Sequence, residues 1–318
     1  MKKRVIALLS GGISSEREVS INSGNQVYET LDKEKYTIRR YDPKTDLSRL
    51  VAEAGDIDFA LIILHGPFGE DGTVQGMLDL LGIPYQGAGV LGSAVAMNKL
   101  TSKRLYEKAG IPTPAYIVTD ARRPVTAGMV AETIGFPVVV KPAQCGSSIG
   151  LSIVRDAGAL AEALKAGFRH DNTLLVEVCI DGTELTAGVI GNTGLEALPL
   201  IEIVPGEGYA FFDYNAKYLP GATTEICPAR VSEEVTVRAQ ALAIKAHEAL
   251  FLRGYSRTDM ILRGEDLFVL ETNTIPGMTR TSLFPQAAAK AGLSFSQMLD
   301  RLIDLGLEDE RSAHRQPR

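Results

Sequence analysis

Long hydrophobic runs are missing from this chain, and with them one large class of proteins: no stretch approaches the roughly 20 apolar residues that a helix needs to cross a bilayer. The opening Met1-Lys2-Lys3-Arg4, followed by Val-Ile-Ala-Leu-Leu, has the outline of a signal peptide. The apolar run stops at Ser10-Gly11-Gly12, however, so it reads as a first buried strand of a soluble protein. Basic blocks are missing too; the net charge is -6, and nothing in it would attract nucleic acid or an anionic membrane surface. Cysteine is scarce: Cys145, Cys179 and Cys227 are far apart, odd in number and without metal-ligand spacing, so reduced thiols in a cytoplasmic protein are expected. Internal repeats, low-complexity tracts and the Walker A loop are also absent, and neither Gly11 to Glu18 nor His65 to Gly72 matches the dinucleotide fingerprint G-x-G-x-x-G.

What is present is an ordinary globular composition. The chain has 318 residues, 45% of them hydrophobic, enough for two or three domains with real cores. Over the first hundred residues, apolar runs at Arg4 to Leu9, Tyr36 to Tyr41 and Phe59 to Leu64 alternate with helix-like stretches at Val19 to Leu31 and Thr73 to Leu81. That alternation predicts a parallel sheet with crossover helices, in which ligands sit at the carboxyl ends of strands. Two polar clusters fall there: Gly11 to Glu18 after the first strand and His65 to Gly72 after the third. Each taken alone is equally an ordinary glycine turn and helix cap.

Gly87, Gly89 and Gly92 are expected to loosen the chain at a boundary, ahead of a helix around Lys99 to Lys108 that Pro112 and Pro114 end. Strands follow at Pro137 to Lys141, Leu151 to Val154 and Leu174 to Val178, and an amphipathic helix near Phe295 to Leu305 closes the chain. The division is therefore 1–97, 98–183 and 184–318, in a mixed α/β protein.

The run Asp266-Leu-Phe-Val-Leu-Glu271-Thr272-Asn273 is the most telling. Side chains two apart in a strand share a face, so Glu271 and Asn273 project together. Asp259 lies in an earlier strand-like run, and Arg263-Gly264-Glu265-Asp266 reads as the hairpin connection that would bring Asp259 opposite Glu271. Two carboxylates and an amide oxygen suit magnesium, which completes its shell with water and substrate phosphates, and so imply a nucleotide. The bland alternative is a strand that ends in polar residues where it meets solvent. Val138-Val-Val-Lys141-Pro142 likewise delivers a lysine to the small-residue loop Gly146-Ser147-Ser148-Ile-Gly150, whose backbone N-H groups could face phosphate oxygens; an incidental hairpin lysine is the competing view.

In order along the chain, the Lys141 loop, Glu177 to Ile180 with Glu184, Asp213-Tyr-Asn-Ala-Lys217-Tyr218, Arg257-Thr-Asp259 and Glu271-Thr-Asn273-Thr-Ile-Pro-Gly277 resemble the ATP-grasp ligases. With Gly11 to Ser20 and His65 to Gly72 added, they resemble the D-alanine:D-alanine ligase family within it.

The resemblance implies three domains, with ATP between the central and C-terminal ones. It implies that Lys99, Lys141, Ser147 and Ser148 contact the phosphates, that Lys217 approaches the transferred phosphoryl group, and that Glu177, Ile180 and Glu184 hold adenine and ribose. Asp259, Glu271 and Asn273 would carry two magnesium or manganese ions, with potassium a candidate activator. One D-alanine would be phosphorylated on its carboxylate and attacked by the amine of a second, making a peptidoglycan precursor dipeptide. Glu16 would bind the first ammonium, Arg257 and the Gly277 N-H the oxyanion, and Ser282 and Leu283 the second carboxylate. Ser147 and Tyr218 would join Glu16 in fastening a lid formed by residues 205–223, which would keep water from a reactive acyl phosphate. His65 is a candidate base for the second amine. A cytoplasmic homodimer is also implied.

The rivals are a ligase joining D-alanine to D-lactate, disfavoured by Tyr218; an ATP-grasp enzyme for another carboxylate; and a non-catalytic nucleotide sensor, which would lose a metal ligand.

Overall fold

A computed structural model describes residues 3–146, 149–206 and 223–313, with side chains up to residue 308. The first part of the chain runs β1 (Arg4–Ser10), α1 (Arg17–Thr30), β2 (Tyr36–Tyr41), α2 (Leu47–Ala52), β3 (Phe59–Ile63), α3 (Thr73–Leu81), α4 (Gly89–Met97) and α5 (Lys99–Lys108). Its strands form a parallel sheet in the order β2-β1-β3. Every residue of β3 is buried, as its unbroken apolar sequence requires of a strand covered on both faces.

Residues 89–97 depart from the loosened boundary expected of their glycines and are helical. The small residues Gly92, Ser93 and Ala96 form the buried face of α4, so the helix lies close against Leu250 and Leu252. Packing there outweighs the cost of glycine in a helix, about 1 kcal/mol each.

The middle of the chain contributes β4 (Tyr116–Asp120), α6 (Ala127–Thr133), β5 (Val138–Pro142), β6 (Ser152–Val154), α7 (Leu160–Gly167) and β7 (Thr173–Val178), with an antiparallel sheet β4-β7-β5-β6. The last part contributes β8 (Thr183–Gly191), β9 (Glu196–Ala197), β10 (Ile201–Pro205), β11 (Thr223–Ile226), α8 (Glu233–Ala249), β12 (Gly254–Arg263), β13 (Asp266–Asn273), α9 (Leu283–Lys290) and α10 (Phe295–Ala313). Its sheet runs β11-β10-β8-β12-β13, with β9 beside β8. The ends of the chain share one core: Ile6, Leu8, Phe59 and Leu61 of the first sheet pack with Phe284, Met298, Leu299 and Leu302 of α9 and α10. Among the described residues no helix is long and apolar enough to cross a membrane.

Behind β12, His247 of α8 is 1% exposed, with Nδ1 2.8 Å from Ser256 Oγ. Burial pulls its pKa down from 6.5 to about 4. The unfolded chain therefore binds a proton near pH 6.5 that the folded chain refuses until about 4, and stability present above pH 6.5 is lost as pH falls through this window. Between pH 7 and 5 the loss due to this histidine is expected to be about 2 kcal/mol. Urea unfolding of the wild type and of His247→Gln checks it: equal pH slopes in the two proteins would refute the assignment.

Candidate active site

The β12-β13 hairpin sets the centre of the site. Its register pairs Arg257 with Asn273 and Asp259 with Glu271, so all four side chains lie on one face, while Thr258 and Thr272 share the other. On that back face Thr258 Oγ1 and Thr272 Oγ1 are 3.0 Å apart, and Tyr106 of α5 donates to Thr272 Oγ1 at 2.7 Å. Beyond Asp259 the register slips, so that Met260 pairs with Val269 and Leu270 is the extra residue of a bulge. The bulge lets Leu270 and Glu271, neighbours in sequence, both line one cavity.

Asp259, 5% exposed, is held from several sides. Arg257 Nε and Nη2 grip its two oxygens at 2.8 and 2.7 Å, Thr186 Oγ1 donates at 2.6 Å and Asn273 Nδ2 at 3.1 Å. Glu271 pairs with Lys99 Nζ at 3.3 Å. Among the described residues no group of three His, Cys, Asp or Glu is clustered for a metal. The donor set here is instead two carboxylates and an amide that could turn its oxygen to the same point, an all-oxygen set that fits a hard divalent cation sharing its shell with phosphates.

One cavity, of about 400 Å³, lies between the middle and last sheets. Its walls include Lys99, Lys141, Glu177, Ile180, Glu184, Asp259 and Glu271, together with the aliphatic side chains of Val139, Ile149, Ile153 and Ile261. An apolar slot with cations at one end suits a flat base and a polyphosphate. Lys141 at the end of β5 is 7% exposed and lies 2.9 Å from Glu177 Oε2. Glu177 thus meets two lysines, since Lys103 Nζ is 3.2 Å from its other oxygen. Cys145 and Cys179 line the same cavity as free thiols, their pKa values raised by burial.

A second cavity of about 410 Å³ adjoins the first through Glu271, which lines both. It gathers Glu16, His65, Arg257, Asn273, Gly277, Ser282 and Leu283, residues up to 267 positions apart in sequence (283 minus 16). Glu16 precedes α1 and is 5% exposed; its N-H donates to Ser14 Oγ at 3.2 Å, and that hydroxyl donates to the His65 carbonyl at 2.7 Å. Gly66, at φ +73°, leaves room for the Glu16 carboxylate, for a Cβ there would lie 2.6 Å from Oε2. Gly277 plays the same part for Ser282, whose Oγ would be 2.9 Å from a Cβ. Ser282 Oγ in turn accepts from the Thr279 N-H at 3.1 Å.

His65 is 6% exposed, hydrogen-bonds the Ile275 backbone, and has no partner for Nε2. Burial lowers its pKa, with Glu16 opposing, so the ring is neutral at neutral pH.

Two acids of this cavity escaped the sequence reading. Glu70 accepts from the Gly66 N-H at 2.6 Å; burial first, then the charge of Glu16, push its pKa up to about 8. It stands within the His65 to Gly72 cluster, so its position was signalled though its role was not. Glu225 on β11 accepts from Gln286 Nε2, and burial raises its pKa; no motif marks it. Ser147, Ser148, Lys217, Tyr218 and most of the segment 205–223 lie outside the described residues.

The cleft between two antiparallel sheets, floored by lysines and closed by the hairpin that carries Asp259, Glu271 and Asn273, is that of an ATP-grasp ligase. Sequence models of the D-ala D-ala ligase N-terminus and C-terminus match residues 40–88 and 105–304. The chain belongs to the D-alanine–D-alanine ligase family. It is 62% identical to the D-alanine--D-alanine ligase of Syntrophobacter fumaroxidans, over 97% of this chain and 99% of that one. It is 54% identical to that of Desulfotalea psychrophila, over 96% of each. Among solved structures, the Bacillus anthracis ligase complexed with ATP superposes with a TM-score of 0.86 at 35% identity, covering 98% and 99% of the two chains. VanG, a D-Ala:D-Ser ligase of Enterococcus faecalis, does so with 0.82 at 31%, covering 96% and 100%.

Proposed function

We propose that this enzyme joins two D-alanine molecules to D-alanyl-D-alanine at the expense of ATP, through a D-alanyl phosphate, and so supplies a peptidoglycan precursor. One observation carries the reading: the slot suited to a nucleotide and the polar cavity suited to amino acids meet at Glu271, beside Lys99, Asp259 and Arg257. A phosphoryl group handed from one ligand to the other would cross there. Membership of the family and its high identities to curated ligases support the same conclusion.

In this reading Lys99 and Lys141 meet the phosphates as point charges, and Glu177, Ile180 and Glu184 flank base and ribose. Asp259, Glu271 and Asn273 are the residues to hold two magnesium or manganese ions, which when bound neutralise charge on the transferring phosphoryl group. Glu16 takes the ammonium of the first D-alanine and so favours an amino acid over a simple acid. Arg257 and the Gly277 N-H face the oxyanion, Ser282 and Leu283 the carboxylate of the second D-alanine. Neutral His65 offers a lone pair to the incoming amine, most of which is protonated at pH 7. The enzyme works in the cytoplasm as a homodimer.

Phosphate release from ATP and magnesium, with products identified by mass, tests the proposal in four mixtures: D-alanine, L-alanine, D-alanine with D-lactate, and D-alanine with D-serine. Strong release with D-alanine alone and a dipeptide product is the expected outcome. A mixed product preferred at neutral pH, or no release at all, overturns it. A second expectation concerns the metal face: Glu271→Gln removes one of two carboxylates and shifts magnesium activation to higher concentration. An unchanged activation curve would remove Glu271 from the ligand set.

A further inference from the structure

Lys103 has no exposed surface at all, and lysine is almost never fully buried unless paired. It sits on α5 one turn beyond Lys99, and residues four apart share a helix face. Lys99 stays at the rim of the nucleotide slot, donating to the Cys145 carbonyl at 2.7 Å and pairing with Glu271. Lys103 goes underneath. Its ammonium donates to Thr113 Oγ1 at 2.6 Å and to the Pro114 carbonyl at 3.1 Å, and lies 3.2 Å from Glu177 Oε1. Two hydrogen bonds and one ion pair thus hold the ammonium. Burial draws its pKa down to about 8 against the pull of Glu177, which still leaves a cation at neutral pH.

Each of two partners passes the contact on. Glu177 Oε2 is 2.9 Å from Lys141 Nζ, so the carboxylate lies between two ammonium groups on adjacent strands and helix. Thr113 Oγ1 donates to the Val269 carbonyl at 2.9 Å, and the Val269 N-H donates to the Pro112 carbonyl at 2.8 Å. Val269 belongs to β13, two residues before Glu271. Both walls of the slot are therefore connected to one buried nitrogen.

Resting on the nucleotide reading above, we propose that Lys103 is a positioning residue for ATP: its ammonium fixes Glu177, and through it Lys141, on one wall of the slot, and fixes Thr113, and through it the strand bearing Glu271, on the other. Lys103 touches neither nucleotide nor reacting atoms. Without it, Glu177 is matched by Lys141 alone, which is drawn back from the phosphates, and the bond between the walls is lost. The amino-acid cavity is lined by none of Lys103, Thr113, Lys141 and Glu177, so its affinity for D-alanine should survive.

The test is calorimetric titration with ADP, together with steady-state kinetics, on full-length Lys103→Met and Lys103→Arg. In Lys103→Met the Kd for ADP and the KM for ATP should rise by about tenfold or more, the scale of one lost charge-assisted bond. The KM for D-alanine should stay within about twofold and kcat should change less than KM for ATP. Lys103→Arg, which keeps the cation, should recover most of the affinity. A fall in melting temperature with unchanged ADP affinity would make Lys103 merely structural and overturn the proposal. If Lys103→Met does not fold, Thr113→Val serves: it must weaken ADP binding, and wild-type affinity overturns the proposal. ADP titration needs no acceptor, so a wild type that binds ADP yet makes no dipeptide would refute the function and leave the role of Lys103 standing. A wild type that does not bind ADP refutes both.

Discussion

Arg257→Ala is expected to lower turnover by about 10² to 10³-fold, the usual cost of losing an oxyanion donor from a water-poor site. The side chain has two possible tasks, and they separate by sign. Its guanidinium grips both oxygens of Asp259. If that grip were its whole contribution, the alanine variant would free a carboxylate for the cation, and turnover would return at saturating magnesium. If Arg257 instead serves the oxyanion, the loss persists at any magnesium concentration while the activation curve shifts little or toward lower concentration. Arg257→Lys should recover only part of the rate, because lysine keeps the charge but not the planar fork. A loss below tenfold in the alanine variant, with D-alanine binding intact, would sink the assignment.

How much of this site could be read from sequence depends on whether the contacts are local. The hairpin was legible because period-two alternation and a glycine turn fix register over a few residues, and Asp259 does lie opposite Glu271. The bulge at Leu270 was not, since nothing in Val269-Leu270-Glu271 announces an extra residue. The alternating start of the chain gave the parallel sheet and the bounds of its strands within about a residue. The helix at residues 89–97 was missed because its glycines argue locally against helix, while the packing that favours it comes from residues 250–252. Lys103 illustrates the harder limit. Its spacing from Lys99 places it on the same face, but that its charge is buried beneath the slot follows only from where Glu177 and Thr113 arrive. Glu70 and Glu225 entered the second cavity in the same way, through folding of distant segments onto one another.

Glu16 gives the other large expected effect. It is buried at the start of α1, its backbone steadied by Ser14, and glycines at 66 and 146 leave room for its carboxylate: a Cβ at these positions would stand 2.6 and 3.0 Å, respectively, from Oε2. Such a tightly bounded anion has little freedom to lose when an ammonium docks against it, so most of the charge-assisted bond is available for binding. Removing one member of a buried, hydrogen-bonded charge pair costs about 2 to 5 kcal/mol, or roughly 30-fold to several thousand-fold in affinity. Glu16→Ala should therefore depress kcat/KM for D-alanine over that range while the Kd for ADP, whose slot Glu16 does not line, remains at the wild-type value. Gly66→Ala approaches the same defect from the backbone side: the added methyl group meets Oε2, and φ of +73° suits alanine poorly. It should also weaken D-alanine selectively, and less than Glu16→Ala, because the carboxylate is displaced and not removed. If both variants lose ADP and D-alanine affinity in parallel, the two cavities are not separate recognition sites, and the ammonium role of Glu16 falls.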